Sequence, residues 1–310
     1  MKQIAIYGKG GIGKSTVASN LSLALAGKGH RVMQVGCDPK RDSTRTLTGG
    51  RLIPTVLETF RDRLRLGQDE YSITLEEIVH RGAGGVLCVE SGGPEPGVGC
   101  AGRGVLTAIQ ILRDLRAFET YDLDVVIYDV LGDVVCGGFA QPIRAGFARN
   151  IYLVCSGEFM SLYAANNIAK AIARLAQQGG SVLTGVICNS RGKPDFERAV
   201  LGEFAVRLGT ELVGFIPRSD DILTVEAQGR TVMEAAPRCA AAGAFRELAG
   251  QVLAGSVDDG PPRVDDGPPR GQGAAAAGGV GRAGAAPTPL ELEELEALYR
   301  GLLPGTGAGG

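Results

Sequence analysis

The chain has 310 residues, with 32 basic against 34 acidic side chains, no Trp and only 5% aromatic residues. That length suits one large core or two small ones. Balanced charge excludes a strongly basic nucleic-acid surface, and scarce aromatics argue against a stacking platform for single strands. No stretch reaches the ~20 apolar residues of a membrane helix. The first apolar run, Ile4 to Tyr7, is strand-length and leads into a glycine-rich loop rather than a secretory cleavage site. The expectation is a cytoplasmic protein with no nucleic-acid or membrane partner, its seven cysteines reduced or bound to metal.

Short β-branched runs alternate with helical stretches. Strands are predicted near 3–7, 31–36, 86–90, 124–129, 150–155, 182–188 and 211–216, and helices over 14–29, 54–64, 101–117, 160–178, 195–208 and 240–254. Val125 to Tyr128 and Ile151 to Val154 are apolar on both faces, as strands covered by helices on each side must be. The alternation gives an α/β fold, a doubly wound and mostly parallel sheet, over residues 1–254. Residues 255–287 read differently. Val257 to Arg263 is repeated as Val264 to Arg270, and an Ala/Gly run follows. Such a segment buries too little apolar surface to offset its ordering entropy and is expected to be a disordered linker. Helical spacing returns over 288–303, where Leu292, Leu295, Leu298 and Leu302 share a face suited to docking on the same or a partner subunit.

Gly8-Lys9-Gly10-Gly11-Ile12-Gly13-Lys14-Ser15 fits G-x-x-x-x-G-K-S/T between a strand and a helix, the context that a phosphate loop requires. Its glycines turn backbone N–H groups onto phosphates, and the helix N-terminus adds partial positive charge. Lys14 is expected at the β- and γ-phosphates, Ser15 on Mg²⁺, and Thr16 in support. Lys9 makes the loop similar to the deviant Walker loop of the ATPase class that includes the MinD/ParA proteins and the iron proteins, in which the early lysine reaches the partner's nucleotide across a dimer. A solvated loop lysine is the alternative. Cys37 to Ser43 follows the second predicted strand with two carboxylates, Asp38 and Asp42. Asp129-Val130-Leu131-Gly132-Asp133 leaves the fourth as an Asp-x-x-Gly turn. A strand-end Asp suits a water-mediated magnesium contact, and the glycine N–H can swing onto a γ-phosphate. A turn or cap role is the lesser alternative for each of these acids.

Cys100 and Cys136 lie in glycine-rich loops, where backbone amides can hydrogen-bond cluster sulfurs. Cys37, Cys88, Cys155, Cys188 and Cys239 sit in or beside apolar elements and read as small hydrophobes. Two ligands cannot complete a four-thiolate site, but a symmetric dimer supplies them twice. A zinc site or two inert thiols are equally admissible from spacing alone.

Long runs then carry a resemblance: Tyr7 to Thr16, Gly36 to Lys40, Glu90 to Val105, Tyr128 to Ala140 and Tyr163 to Ile168. From about residue 3 to 250, and again in the tail helix, the sequence resembles the nitrogenase iron protein family. The resemblance implies a homodimer around one bridging 4Fe–4S cluster held by Cys100 and Cys136, with MgATP on each protomer. Lys9, Lys14, Asp38, Asp42 and Asp129 would be the catalytic group. Gly8, Gly10, Gly11, Gly13, Ser15, Thr16, Lys40, Gly132 and Asp133 would complete the phosphate side, and Asn189, Pro217 and Arg218 the adenosine side. Phe139 would pack near the cluster, and Arg103 matches an arginine that some members expose for docking and modify by ADP-ribosylation. The implied function is ATP-gated one-electron transfer to a catalytic metalloprotein, with ferredoxin or flavodoxin as donor. A non-redox positioning ATPase would leave Cys100 and Cys136 without a purpose, and a cluster-maturation ATPase would bind a cluster transiently and hand it over.

The sequence also departs from the family pattern. Thr46 to Glu58 looks closer to nitrogenase-like protochlorophyllide reductases, and Ser219 and Leu223 stand where dinitrogenase reductases usually have Asp and Gln. This mosaic points to a nitrogenase-like heteromeric partner, methylthio-alkane reductase first and nitrogenase itself second.

Overall fold

The computed structural model describes residues 1–67, 72–93, 101–132, 148–179, 182–256 and 286–303, without the side chains of 101–103 and 175–179. Eight strands form one sheet in the order β3-β4-β2-β5-β1-β6-β7-β8. They are β1 (Lys2–Gly8), β2 (Val32–Gly36), β3 (His80–Arg81), β4 (Leu87–Glu90), β5 (Val125–Asp129), β6 (Asn150–Cys155), β7 (Val182–Asn189) and β8 (Leu212–Ile216). All neighbours pair parallel except β3, a two-residue antiparallel edge on β4 that the sequence pattern does not announce.

The long crossover helices are α1 (Lys14–Ala26), α2 (Val56–Arg65), α4 (Ala101–Asp114), α6 (Phe159–Gly179), α7 (Pro194–Arg207) and α10 (Ala240–Gly255), with short helices α3 (Leu75–Ile78), α5 (Ala117–Thr120), α8 (Asp220–Ala227) and α9 (Val232–Ala235). Two apolar cores sandwich the sheet. Tyr7, Val35, Tyr128 and Leu153 face one; Ile4, Ile6, Ile127 and Val154 face the other. Period-two alternation on strands buried on both faces produces this division, so the expected doubly wound α/β architecture is the observed one.

Reversal of strand order around β1 puts the carboxyl ends of β1, β2, β5 and β7 at one edge. There Gly36 pairs with Asp129 on one side and Glu90 on the other, and Ile6 pairs with Asp129. Ligands of doubly wound sheets bind at this edge. α2 is fixed to it by a capping box, Thr55 Oγ1 accepting from the Glu58 N–H at 3.1 Å and Glu58 accepting from the Thr55 N–H at 3.3 Å. Glu58 also takes the guanidinium of Arg41 at 2.8 Å, tying α2 to the loop after β2.

α10 runs through Gly255, and buried Ser256 exchanges a 2.8 Å hydrogen bond with Tyr152 while its carbonyl accepts from Lys2. Gly255 and Ser256, the first two residues of the sequence-predicted linker, are therefore ordered; 257–285 lie outside the described residues. The tail returns at 286 and forms α11 (Leu292–Leu302) against α6 and α7 of the same chain. Asn166 holds Leu290 by two hydrogen bonds, to its carbonyl at 2.7 Å and from its N–H at 2.9 Å. Tyr299 stands edge-on to Phe159 and Phe196, with centroids 5.4 and 5.7 Å away. Of the predicted leucine face, Leu295 and Leu298 are buried, whereas Leu292 and Leu302 remain exposed and Leu290 is buried in their stead.

Leu295→Ala should therefore cost about 2–5 kcal/mol of tail docking, seen as protease sensitivity of the tail in a folded core. Leu292→Ala should change it by under ~1 kcal/mol. Equal sensitivity of the two variants would contradict this packing.

Candidate functional site: a nucleotide-phosphate cradle at the sheet edge

β1 delivers the Gly8–Ser15 loop directly to the N-terminus of α1, so the turn and the first unpaired helical N–H groups face the same point. Gly13 has φ 98°, in the left-handed region, and a Cβ there would stand 2.3 Å from the Asn189 amide nitrogen. Only glycine meets both conditions. Asn189, at the end of β7, donates to the Ile12 carbonyl at 2.7 Å. Arg191 donates to the Gly11 carbonyl at 2.8 Å. Lys14 is buried, and its ammonium donates to the Lys9 carbonyl at 3.2 Å, folding back over the loop.

Gly132 closes the cradle from the β5 side. A Cβ at Gly132 would lie 1.7 Å from the Gly8 carbonyl oxygen and 2.6 Å from Lys14 Nζ. The Asp-x-x-Gly turn thus touches the phosphate loop itself, and no side chain fits between them.

Asp129 lies between the two loops and is 3% exposed. Its carboxylate accepts from the Ser43 hydroxyl at 2.6 Å and from Ser15. Burial raises its pKa; the Ser15 and Ser43 hydrogen bonds and the Lys14 charge oppose that, while Asp38 adds to it. A carboxylate so desolvated gains from a divalent cation, and hard oxygen donors such as Ser15 and Asp129 suit Mg²⁺. The glycine cradle, the buried ammonium and this oxygen pair together fit a magnesium-bound phosphate chain.

The remaining expected residues are distributed unevenly. Asp38 accepts from the Lys40 N–H at 2.9 Å and pairs with the Lys40 ammonium at 3.5 Å, so these two face each other in the same loop. Asp42 is exposed one residue before Ser43. Thr16 turns to the other side and donates to Glu226 on α8. Arg218, exposed, donates to the Arg191 carbonyl at 3.3 Å, and Pro217 follows the end of β8 beside it. Ser219 caps α8, accepting from the Asp221 N–H at 3.2 Å, and Leu223 on that helix is exposed. Gly10 and Lys9 sit partly exposed in the loop. Cys100, Asp133, Cys136, Phe139 and the side chain of Arg103 lie outside the described residues.

Several side chains that hold the loops around the cradle escape sequence reasoning. Gln34, fully buried in mid-strand, donates to the Ser43 carbonyl at 3.0 Å and accepts from Ser22 at 2.9 Å, while Ser19 donates to the same carbonyl at 3.0 Å. This network fixes the residue that serves Asp129; a Gln amid apolar neighbours was its one sequence signal. Arg191 and Glu226 gave none. Glu90 accepts from the Thr44 N–H and hydroxyl, both at 2.7 Å, yet burial still pushes its carboxyl up to about 7, with Asp129 and Asp42 adding to the rise.

The described cysteines do not fit a cluster. Cys37, Cys88, Cys155 and Cys188 are buried in the core, and burial pushes all four thiols well up, Cys88 and Cys155 to about 12. Cys239 caps α10, accepting from the Ala242 N–H at 3.3 Å. Among the described residues, no group of three or more Cys, His, Asp or Glu converges on a metal position.

Residues 2–264 match the model of the 4Fe-4S iron sulfur cluster binding proteins, NifH/frxC family. The chain belongs to this family. It is 50% identical to a nitrogenase iron protein of Methanospirillum hungatei JF-1 over 98% of this chain and 97% of that protein. It is 49% identical to nitrogenase iron protein 2 of Paenibacillus durus over 82% and 84%. Among solved structures, the MinD cell division protein of Aquifex aeolicus superposes with a TM-score of 0.61 at 17% identity, covering 83% of this chain and 99% of that one. That likeness shows the deviant Walker P-loop fold alone. NifH/frxC membership makes the chain an ATP-hydrolysing reductase component that uses MgATP and a 4Fe–4S cluster bridging a homodimer.

Gly132→Ala should leave MgADP binding nearly intact but lower ATP hydrolysis by about a hundredfold, because the turn cannot approach the loop. Lys14→Ala should weaken binding of both nucleotides. Wild-type hydrolysis by Gly132→Ala, measured with equilibrium binding alongside, would contradict the closed cradle.

Proposed function

We propose that this NifH/frxC-family protein couples MgATP hydrolysis to one-electron donation into a nitrogenase-like catalytic metalloenzyme. The observation that carries the reading is the contact of Gly132 with Gly8 and Lys14, because Gly132 stands only four residues before Cys136 in the chain. Lys14 and Ser15 hold the phosphates and Mg²⁺, and Asp129 orders the magnesium side through Ser15 and Ser43. Asp38, Lys40, Asp42 and Asp133 complete the γ-phosphate side, while Lys9 reaches the partner's nucleotide. Asn189, Pro217 and Arg218 flank the adenosine. Cys100 and Cys136 of both protomers hold the shared cluster, which supplies the one-electron redox chemistry. Displacement of Gly132 on nucleotide turnover pulls the segment leading to Cys136, so one short stretch links phosphate sensing to the docking face. Ferredoxin or flavodoxin is the donor that fits this chemistry.

For the catalytic partner, methylthio-alkane reductase is the reading favoured by the departures at Thr46 to Glu58, Ser219 and Leu223. Nitrogenase is the second reading, favoured by the names of the relatives at 50% and 49% identity. Reconstitution with each catalytic component, under ATP and a strong reductant, separates them. Thioether reduction is the expected result; efficient dinitrogen reduction without it would reverse the order.

The ligand assignment has its own test. Anaerobic protein should carry about four iron atoms per dimer. Cys100→Ala or Cys136→Ala should remove them, and Cys155→Ala should not. Full iron content in Cys100→Ala would refute the assignment.

A further inference from the structure

Glu90 ends β4 and is completely buried, and the phosphate cradle as described above makes no use of it. Its Oε1 accepts both hydrogen bonds that Thr44 can offer, from the main chain and from the hydroxyl. Its Oε2 has no hydrogen-bond partner among the described residues. That oxygen faces the narrow space beside Gly36 and Ser43: a Cβ built on Gly36 would stand 2.0 Å from Oε2 and 2.7 Å from the Ser43 Cβ. A buried oxygen without a partner is unfavourable, and an apolar residue would fill the position without that cost. An acid here therefore calls for a role beyond filling space.

Thr44 supplies that role. It directly follows Ser43, the residue that donates to Asp129, and closes the loop bearing Asp38 and Asp42. The same strand end holds its surroundings rigid: the Ser91 N–H donates to the Gly36 carbonyl at 2.8 Å, and the Leu57 N–H to the Ser91 carbonyl at 3.2 Å. Glu90 thus clamps the loop after β2 to the strand whose chain continues toward Cys100. By contrast, the contacts that shape the β-phosphate side, through Gly13, Lys14 and Asn189, do not pass through Thr44.

We propose that Glu90 is a positioning residue that sets the 38–43 loop for a γ-phosphate, so that the Glu90–Thr44 clamp makes the protein distinguish MgATP from MgADP. This rests on the reading of the cradle as an MgATP site. The clamp favours the triphosphate because Asp38 and Asp42, in the loop that Thr44 closes, are the residues assigned to the γ-phosphate side.

The test is calorimetric titration of the full-length dimer with MgADP and with a non-hydrolysable MgATP analogue. Glu90→Ala should weaken the analogue by about tenfold, the effect of losing hydrogen bonds to a carboxylate, and leave MgADP within about twofold. Glu90→Gln keeps a carbonyl acceptor for Thr44 and should restore the preference. Thr44→Val should show a partial loss, and Glu90→Ala combined with Thr44→Val should be no worse than Glu90→Ala alone, since both break one clamp. Equal weakening of both nucleotides, no weakening of either, or failure of Glu90→Gln to rescue would overturn the proposal. Should Glu90→Ala not fold, Thr44→Val against Thr44→Ser decides it, and identical nucleotide preferences in that pair would overturn the clamp. Wild-type protein that binds neither nucleotide would instead refute the MgATP reading itself.

Discussion

A single desolvated carboxylate organises the nucleotide edge of this protein. Asp129 is held at the end of a strand paired on both sides, where water cannot solvate its charge and Ser15, Ser43 and the Lys14 ammonium offset its burial. They come from two places: Lys14 and Ser15 from the start of α1, where the phosphate loop ends, and Ser43 from the loop after β2. Any change in what Asp129 faces therefore acts on both loops together. A magnesium ion brought in with a nucleotide is such a change, because it adds positive charge beyond that of the Lys14 ammonium.

The sheet makes this arrangement possible. Parallel strands of a doubly wound fold present their carboxyl ends at one edge, so residues distant in sequence meet there without long connecting segments. β1 brings the loop, β2 brings Ser43, β5 brings Asp129 and Gly132, and β7 brings Asn189. Buried polar side chains on β2 and α1 then fix the loops with little freedom: Gln34, Ser19 and Ser22 satisfy one another and the Ser43 carbonyl, as a buried network must if it is not to destabilise the core. The close-packed core beneath deforms little, so the loops at this edge rest on a stiff base.

How much of this was legible in sequence follows from how local each feature is. The phosphate cradle was readable because its glycines, lysine and serine lie within eight residues, and the turn that needs them is set by the backbone itself. The strands were readable from apolar runs buried on both faces. His80–Arg81 was not, since two residues carry no periodicity, and helices as short as α8 and α9 hide in polar stretches. The tertiary partners were beyond reach for a different reason. Thr16 and Glu226 are 210 residues apart, and Arg191 and Gly11 are 180 apart; only the folded sheet brings them together. Glu90 stood in plain view inside a matched run, but nothing in that run says that Thr44 is its partner. The leucine face of the tail is displaced in detail, because Leu290 precedes α11 and is held by the Asn166 side chain on its N–H and carbonyl, not by helical spacing.

The account turns on Asp129 carrying the nucleotide state to the redox end of the molecule. The most direct measurement is the midpoint potential of the anaerobic protein with and without MgATP, in the wild type and in Asp129→Asn, with iron content confirmed in both. The account predicts that MgATP shifts the wild-type potential and leaves that of Asp129→Asn where it was, although the variant keeps its iron. A nucleotide-induced shift of the same size in Asp129→Asn would contradict it.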